Sequence, residues 1–350
     1  MRVLHTSDLH LKEKDPRTVD TLQHILDVAK EKRVDIVTIA GDMFDSPEDA
    51  NGLRPDLREM LTGNGFTILV LPGNHDSSAL TEDTFYGNDV TLLTNDPVTV
   101  HVRDDVLIAA VPFKEKLDDD TAMAIAQAGN VDKTKILLMH CTLDIGFDAN
   151  AFGEEVHRQY MPVSSAMLAG LGYDYVLAGH FHSRAYELPL ANGGMFVYPG
   201  SPMSHTWRET GPRYAYLLDT QRNTGEFVRL STFYYDELYV EVYPGTEDKA
   251  ISRIRRWAKN HVGDDCEAVI TVSGFTETSE SELSKTIEEA AEGIPVRFKI
   301  LGIGNISQYA IYRRFKQKLE SDPDIEDKVA VDSMVLRVIS RLVDGGELSL

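Results

Sequence analysis

The sequence has only two cysteines in 350 residues, Cys141 and Cys266. Two cysteines give no disulfide framework, which excludes a small disulfide-stabilised secreted domain. No stretch approaches the roughly 20 consecutive apolar residues that a membrane helix needs. The amino-terminal residues predict a strand and lack the basic segment and hydrophobic core of a signal peptide. We therefore expect a cytoplasmic protein without a membrane span.

Positive charge is also scarce, with 35 Lys and Arg residues against 56 Asp and Glu, a net charge of −21. Proteins that bind nucleic acid by general electrostatic attraction present a basic surface, because they must neutralise phosphates. The net charge therefore argues against such a binder. It does not exclude a local basic patch, and bound divalent ions reverse the sign of an acidic site.

Short motifs rich in Asp, Asn and His do occur, each directly after an apolar run. The motifs are Asp8-Leu9-His10, Gly41-Asp42-Met43-Phe44-Asp45, Gly73-Asn74-His75-Asp76, His140 and Gly179-His180-Phe181-His182. The runs predict strands at 2–6, 34–40, 66–71, 136–139 and 173–178, because short apolar stretches rich in Val and Ile are typical of strands buried on both faces. Functional groups of such folds gather beyond the strand ends, so we expect these motifs to converge.

The residue types indicate a two-metal phosphoesterase. Two divalent ions about 3.5–4 Å apart can clamp a phosphodiester and activate a water for in-line attack. Asp42 is the candidate bridging carboxylate. We assign Asp8, His10 and His182 to one ion, and Asn74, His140 and His180 to the other. This mixture of imidazole, carboxylate and amide ligands suits manganese, iron or zinc.

Two further residues lie beside these candidate ligands. His75 follows Asn74 but is surplus to the ligand count, which makes it a candidate general acid for the leaving oxygen. Cys141 follows His140 and could be a thiolate ligand or a small buried residue; we favour the buried residue, since the site is full without it. A single motif of this kind is weak, whereas five in order at strand ends indicate a metal site.

The motif series resembles that of the calcineurin-like metallophosphoesterase superfamily. Residues 1–10, 40–46 and 71–77 are similar to the SbcD branch of the Mre-type DNA double-strand-break nucleases, and the likeness continues through Tyr198-Pro199-Gly200-Ser201-Pro202. The resemblance implies a four-layer α/β/β/α sandwich, two Mn²⁺ ions (with Fe, Zn or Mg as alternatives), 3′-to-5′ exonuclease action on duplex DNA and endonuclease action on single strands. It also implies a coiled-coil ATPase partner of the SbcC type and a homodimer through the phosphoesterase domain.

The chain departs from the family pattern at Asp45, where archaeal and eukaryotic relatives carry histidine. A catalytic histidine usually needs its other nitrogen anchored, so we predict that Asp45 orients His75. Lys12 and Cys141 stand where glycine is common, which we expect to affect loop shape rather than chemistry.

The strand pattern divides the chain into 1–235, 236–304 and 305–350. Alternating strands and helices give way from about residue 184 to consecutive strands at 184–190, 194–198, 214–218 and 226–233. Together they indicate an α/β two-sheet sandwich with helices outside. Residues 236–304 predict a smaller β-α-β-α-β domain, which resembles in placement the capping domain of the nuclease family.

Two segments outside the first domain leave alternatives open. The first helix of 236–304 carries basic residues that could touch a nucleic-acid backbone, although a solvated polar face is the reading we favour. These residues are Arg253, Arg255, Arg256 and Lys259. The helical tail, 305–350, either packs on its own domain or docks the ATPase through an apolar stripe, and we prefer docking.

The reaction class has rivals. The nearest is a phosphodiesterase or phosphatase acting on a small phosphoester, and another is a non-catalytic scaffold, which usually comes with lost ligands. We expect the residues between His140 and His180 to form a long irregular stretch, in which 144–148 and 157–160 could line the substrate path. We expect His157 and His205 to be structural.

Overall fold

The computed structural model describes residues 1–144, 160–243, 245–276, 279–302 and 310–344. The chain forms two compact units, Met1–Tyr235 and Asp236–Leu350. No helix within the described ranges is long and apolar enough to cross a membrane. Residues 145–159 lie outside the described residues; they include His157 and most of the positions at 144–148 and 157–160 that could line the substrate path.

The first unit contains two six-stranded mixed sheets. Its strands in chain order are β1 (Arg2–Thr6), β2 (Ile36–Ala40), β3 (Thr67–Leu71), β4 (Val90–Leu92), β5 (Thr99–Arg103), β6 (Val106–Ala110), β7 (Thr134–His140), β8 (Tyr175–Gly179), β9 (Tyr186–Pro189), β10 (Met195–Tyr198), β11 (Tyr214–Asp219) and β12 (Thr224–Arg229). The first sheet has the order β12-β11-β1-β2-β3-β4 and the second β5-β6-β7-β8-β10-β9. The inner strands β1–β3 and β6–β8 are parallel.

The two sheets face each other and carry helices on their outer faces. The helices are α1 (Pro16–Lys32), α2 (Pro47–Met60), α3 (Asp119–Ala128) and α4 (Ser165–Gly170). One apolar cluster joins α1 and α2 to the first sheet, another joins α3 and α4 to the second, and a third lies between the sheets. The predicted four-layer α/β/β/α sandwich is confirmed.

Helix α1 shows how local sequence builds this packing. Asp15 caps its first turn by accepting a hydrogen bond from the amide of Arg17, and Pro16 occupies the first helical position, where no donor is lost. The apolar stripe of Leu22, Ile25, Leu26 and Ala29, spaced i, i+3, i+4 and i+7, is buried against the first sheet. Burial of this stripe orients the helix between β1 and β2.

Strands also occur where the motifs predict none, between residues 72 and 135. β4 has only three residues, and β5 alternates between half-buried and exposed positions at a sheet edge, so neither contains a continuous apolar run. β6 is fully buried but no candidate ligand follows it. The last strand predicted at 226–233 is instead Thr224–Arg229, and the predicted irregular stretch before residue 173 contains α4.

The second unit is a smaller α/β arrangement with a helical tail. Its elements are β13 (Tyr234–Val242), α5 (Glu247–His261), β14 (Cys266–Thr276), α6 (Glu280–Ala290), β15 (Val296–Gly302), α7 (Ala310–Ser321) and α8 (Lys328–Asp344), with sheet order β13-β14-β15. Tyr312 of α7 and Leu336 of α8 pack in one cluster with Tyr243 and Phe275. The tail therefore shares a core with its own unit.

His5 links the two sheets of the first unit from within β1. Its Nδ1 accepts from the hydroxyl of Thr38 on β2 at 3.0 Å, and its Nε2 donates to the carbonyl of Ala178 on β8 at 3.3 Å. Burial lowers the pKa of His5 to about 4. A neutral imidazole therefore spans the layers three residues before Asp8.

We predict that Leu138→Ala destabilises the first unit, because this side chain is fully buried between the sheets. The free energy of unfolding should fall by about 2–5 kcal/mol, the range for a leucine that leaves a cavity. Urea unfolding followed by circular dichroism measures the change. Val102→Ala on edge strand β5, where the side chain is 53% exposed, is the control and should shift stability by less than about 0.5 kcal/mol. Equal effects of the two substitutions would contradict the interlayer packing.

Candidate metal centre

The predicted motifs meet where strands of both sheets end. Asp8 follows β1, Asp42 follows β2, His140 ends β7 and His180 follows β8. The amide of His180 donates to both carboxylate oxygens of Asp8, at 3.0 and 3.1 Å. His140 Nδ1 donates to the carbonyl of Ala40 at 2.9 Å. These bonds hold the ends of the two sheets together.

The backbone at this edge adopts left-handed conformations that residues other than glycine rarely adopt. The φ angles are 53° at Asp8, 44° at His10, 50° at Asp42 and 96° at His180. Such conformations cost on the order of 1–3 kcal/mol each and persist where the surroundings impose them. Here they aim four candidate ligands at one place.

Asp8, His10 and His182 form the first group of donors. The Nε2 atoms of His10 and His182 lie 3.3 Å apart, and His182 Nε2 lies 3.5 Å from Asp8 Oδ1. Potential ligand atoms of all three residues fall within 4.8 Å of one another. This is the first predicted ligand group, apart from the bridging carboxylate.

Asn74, His140 and His180 form the second predicted group. Asn74 Oδ1 lies 2.9 Å from His140 Nε2, and the rings of His140 and His180 have centroids 5.3 Å apart. His140 Nδ1 is engaged by the carbonyl of Ala40, so Nε2 is the nitrogen that faces the site. Asp8 and Asp42 complete a further cluster of ligand atoms with His140.

Asp42 lies between the groups. Its Oδ1 accepts from the amide of His75 at 2.9 Å. Its Oδ2 is buried, lies 3.2 Å from His140 Nε2 and 3.9 Å from His10 Nε2, and accepts no hydrogen bond within the described part of the chain. A buried carboxylate oxygen without a donor is costly. Its place between one imidazole of each group fits an oxygen that bridges two cations.

The imidazoles of the site offset the negative charge of its carboxylates. Burial opposes charge on Asp42, but the neighbouring His140 and His10 hold its pKa well below the usual range. Burial alone would lower the pKa of His140, yet the carboxylates of Asp42 and Asp8 raise it to about 9. The positive charge of His140 thus compensates the carboxylates of Asp42 and Asp8, and bound divalent ions would supply the same compensation.

Glu209 and Arg213, to which no sequence motif assigned a role, support His182 from behind. Glu209 Oε1 lies 3.4 Å from His182 Nδ1, which leaves Nε2 facing the site. Buried Arg213 donates to the carbonyl of Ser201 at 2.9 Å, to that of Ser183 at 3.1 Å and to that of His182. Isolated Glu and Arg residues in a loop carry no periodic signal, so only their proximity in the fold identifies them.

Asp76 joins the second and third motifs. It accepts from the amide of Gly73 at 2.8 Å and from that of Phe44 at 3.2 Å. Burial and the charge of Asp42 raise the pKa of Asp76 to about 7. Its role is to fix the loop that carries Asn74 and His75.

His205, predicted to be structural, lies against the first donor group. Its ring centroid is 5.0 Å from that of His10, and its Nε2 donates to the backbone carbonyl of Asp8 at 3.1 Å. Burial and the neighbouring His10 lower the pKa of His205 to about 3. His205 is therefore a neutral donor that holds the backbone of Asp8.

His75 lies beside His10, with ring centroids 4.8 Å apart. Its Nδ1 donates to the backbone carbonyl of Asp45 at 3.1 Å, so Nε2 is the atom that can exchange a proton with a substrate. The carboxylate of Asp45 instead lies 3.3 Å from His10 Nδ1 and 3.2 Å from Lys12 Nζ. The contact of Asp45 with His75 thus runs through the carbonyl, and its side chain supports a candidate ligand.

Cys141 and four basic residues are the remaining positions that the sequence singled out. Cys141 is buried, and burial raises the pKa of its thiol to about 12, which disfavours a thiolate ligand. The four basic residues predicted to contact DNA are exposed on α5 of the second unit: Arg253, Arg255, Arg256 and Lys259.

Gly41→Ala should disrupt the second donor group, because an added Cβ would overlap the ring of His140 at a backbone φ of 91°. We expect Mn²⁺ affinity to fall about 10–100-fold, as when ligand orientation is lost. Isothermal titration calorimetry measures it. Gly63→Ala is the matched control, since its φ is 81° but nothing lies within 4 Å of the added Cβ. Unchanged affinity in Gly41→Ala would contradict the assignment of His140.

Glu209→Gln should weaken Mn²⁺ binding about 10–100-fold, because it removes the charge that orients His182 and raises the basicity of its imidazole. Equilibrium dialysis with metal analysis gives the affinity. The control is Glu226→Gln on β12, where the side chain is exposed. If both variants bind Mn²⁺ like the parent protein, Glu209 has no part in the metal site.

Several known proteins are similar to this chain in sequence. The chain is 25% identical over 270 residues to the uncharacterized metallophosphoesterase YhaO of Bacillus subtilis (strain 168), covering 68% of this chain and 62% of that protein. It is 26% identical over 257 residues to the SbcD component of nuclease SbcCD from the same organism, covering 60% and 64%. Identity to the SbcD component of nuclease SbcCD from Escherichia coli (strain K12) is 38% over 88 residues, 23% and 22% of the two chains. The matches span less than two thirds of each relative.

The sequence profile of calcineurin-like phosphoesterases matches residues 1–184. That region contains all seven candidate metal ligands and His75. Phosphoester hydrolysis with divalent metals is the activity that this profile and the Asp/His clusters support. Because the match covers more than half of the 350 residues, the chain belongs to the calcineurin-like phosphoesterase family.

Proposed function

We propose that the protein is a manganese-dependent DNA nuclease, with 3′-to-5′ exonuclease action on duplex DNA and endonuclease action on single strands. The observation that carries the proposal is the position of Asp42 Oδ2 between His140 and His10, beside a surplus histidine. Relatives named as components of a nuclease support DNA as the substrate. DNA end processing and repair in the cytoplasm is the role that follows.

The residues at the site divide the work of hydrolysis. The seven candidate ligands would hold two divalent ions, which would supply Lewis acidity and lower the pKa of a bound water. Hydrolysis adds the oxygen of a water to phosphorus and breaks the phosphorus–oxygen bond to the leaving nucleotide. His75, oriented through the carbonyl of Asp45, gives its Nε2 proton to the leaving oxygen. Asp45 holds His10 in place through its carboxylate.

The donor chemistry favours manganese, with iron, zinc or magnesium as alternatives. Four imidazoles exceed what a purely oxygen-liking cation prefers, whereas two carboxylates and one amide make the site harder than thiolate-rich zinc sites. The four imidazoles belong to His10, His140, His180 and His182.

DNA contacts by the second unit are part of the proposal. Helix α5 buries Ile254 and Ala258 and exposes basic side chains on its other positions: Arg253, Arg255, Arg256 and Lys259. A cluster of four cations on an otherwise acidic protein is suited to phosphate contacts. We propose that residues 236–304 act as a capping domain for DNA.

A coiled-coil ATPase of the SbcC type is the proposed partner. The relatives' names describe one component of a two-component nuclease. Helix α8 buries Leu336 while Met334 and Val338, four residues apart on one face, are 67% and 58% exposed. These side chains are the proposed docking contact of segment 305–350. A homodimer through the phosphoesterase domain stays a prediction of the resemblance.

The decisive test is hydrolysis of end-labelled linear duplex DNA by the purified chain with Mn²⁺. His75→Ala should reduce the rate about 10²–10⁴-fold, as expected for loss of a general acid, while metal content stays unchanged. EDTA should abolish activity. His101→Ala on edge strand β5 is the matched histidine control and should retain activity.

Other outcomes point to the alternatives. Cleavage of a simple phosphodiester without any loss of DNA would indicate a small phosphoester substrate, or a nuclease that needs its ATPase. Adding the ATPase separates these two. Absence of bound metal and of any hydrolysis would favour a non-catalytic scaffold. Loss of metal in His75→Ala would make His75 a ligand.

A further inference from the structure

Trp207 and Arg208 occupy the central positions of a turn from Thr206 to Glu209. The amide of Glu209 donates to the carbonyl of Thr206 at 3.1 Å, which closes a four-residue β-turn. The hydroxyl of Thr206 also donates to the carboxylate of Glu209 at 3.3 Å. The turn is therefore built on the same carboxylate that supports His182.

The segments on both sides of this turn are fixed to Phe233 and Tyr235, near the end of the first unit. The amide of Ser204 donates to the carbonyl of Phe233 at 3.0 Å, and the amide of Gly211 donates to the carbonyl of Tyr235 at 2.8 Å. Anchors on either side hold the Thr206–Glu209 turn to the scaffold. The turn thus presents its two central side chains from a fixed base.

Those side chains are apolar and cationic, and they face solvent. Trp207 is 68% exposed, and the guanidinium carbon of Arg208 lies 5.4 Å from the centroid of its ring. Arg208 is the exposed charge of residues 201–211, because the one carboxylate there, Glu209, is buried. On a chain with net charge −21, this surface combines a flat aromatic face with a positive charge.

The turn lies next to the metal centre. Trp207 is two residues from His205, whose Nε2 contacts the carbonyl of Asp8, and two from Glu209, which contacts His182. Because consecutive Cα atoms are 3.8 Å apart, the Cα of Trp207 lies within about 7.6 Å of either neighbour's Cα. Trp207 is thus tied through the chain to two side chains that contact candidate ligands.

We propose that Trp207 stacks on a nucleobase of the substrate, next to the phosphate that is hydrolysed, while Arg208 attracts the adjoining backbone. Indole accepts any base on its face and arginine adds charge, so the contact binds nucleotides without selecting sequence. A phosphoester that lacks a base gains nothing from it. This inference rests on the proposed nuclease function and specifies base-bearing, unpaired nucleotides as the substrate at the metal centre.

The kinetic test compares single-stranded oligothymidylate with an abasic oligomer of the same length and charge. Trp207→Ala should raise KM for oligothymidylate about 5–150-fold, the range for stacking of one base. We expect kcat for oligothymidylate and KM for the abasic oligomer to be unchanged. Trp207→Phe should restore most of the affinity. Because the side chain is exposed, the thermal midpoint of Trp207→Ala should match that of the parent protein.

Arg208→Ala separates charge from stacking. It should raise KM for the two oligomers by the same factor, since both carry the same phosphates. Equal losses on the two oligomers in Trp207→Ala would instead mean that Trp207 supports the loop rather than a base, which overturns the proposal.

Fluorescence gives a readout independent of hydrolysis. The chain has two tryptophans, so Trp257→Phe leaves Trp207 as the sole indole. In zinc-loaded His75→Ala with Trp257→Phe, oligothymidylate should quench this emission, and the abasic oligomer should not.

The outcomes distinguish the two proposals. DNA hydrolysis by the parent protein with an unchanged KM in Trp207→Ala refutes stacking but leaves the nuclease function standing. If the parent protein hydrolyses neither oligomer, with or without the ATPase, the nuclease function fails, and the fluorescence titration alone decides whether Trp207 binds a base. Absence of quenching then refutes that as well.

Discussion

The hydrogen bond from His140 Nδ1 to the carbonyl of Ala40 is the contact on which the metal centre depends. It joins the end of β7 in one sheet to the end of β2 in the other, and the bonds from the amide of His180 to Asp8 repeat the connection between β8 and β1. Donors from two independent sheets can share cations only while these ends stay in register. The apolar layer between the sheets maintains that register.

Glycine at positions 41 and 73 follows from the same close approach. A Cβ on Gly41 would overlap His140, and one on Gly73 would overlap the carboxylate and amide of Asp42. The ligands themselves carry the unfavourable backbone angles, at Asp8 and Asp42 among others. Interlayer packing and the contacts behind the ligands maintain these strained backbone angles. As a result, the carboxylate oxygens lie where bulk solvent cannot screen them.

Binding of substrate and chemistry are assigned to different parts of the surface. The acidic net charge gives no general attraction for DNA, so recognition must come from local features. The Thr206–Glu209 turn is such a feature, and it is connected to His182 through Glu209. The basic positions of α5 form another, in a separate compact unit. Under the proposed nuclease function, local recognition of this kind would allow an acidic protein to act on a polyanion.

The sequence by itself determined the strands that precede the ligand motifs, the layered fold class and the order of those motifs, because apolar runs and the residues that follow them are local patterns. It also identified His75 as surplus to the ligand groups. Only the tertiary structure decided which atoms meet: it turned the carboxylate of Asp45 toward His10, set Glu209 behind His182 and exposed Trp207 beside them. These relations join residues far apart in sequence or depend on side-chain direction. Local periodicity encodes neither, because both arise when the two sheets and their loops pack together.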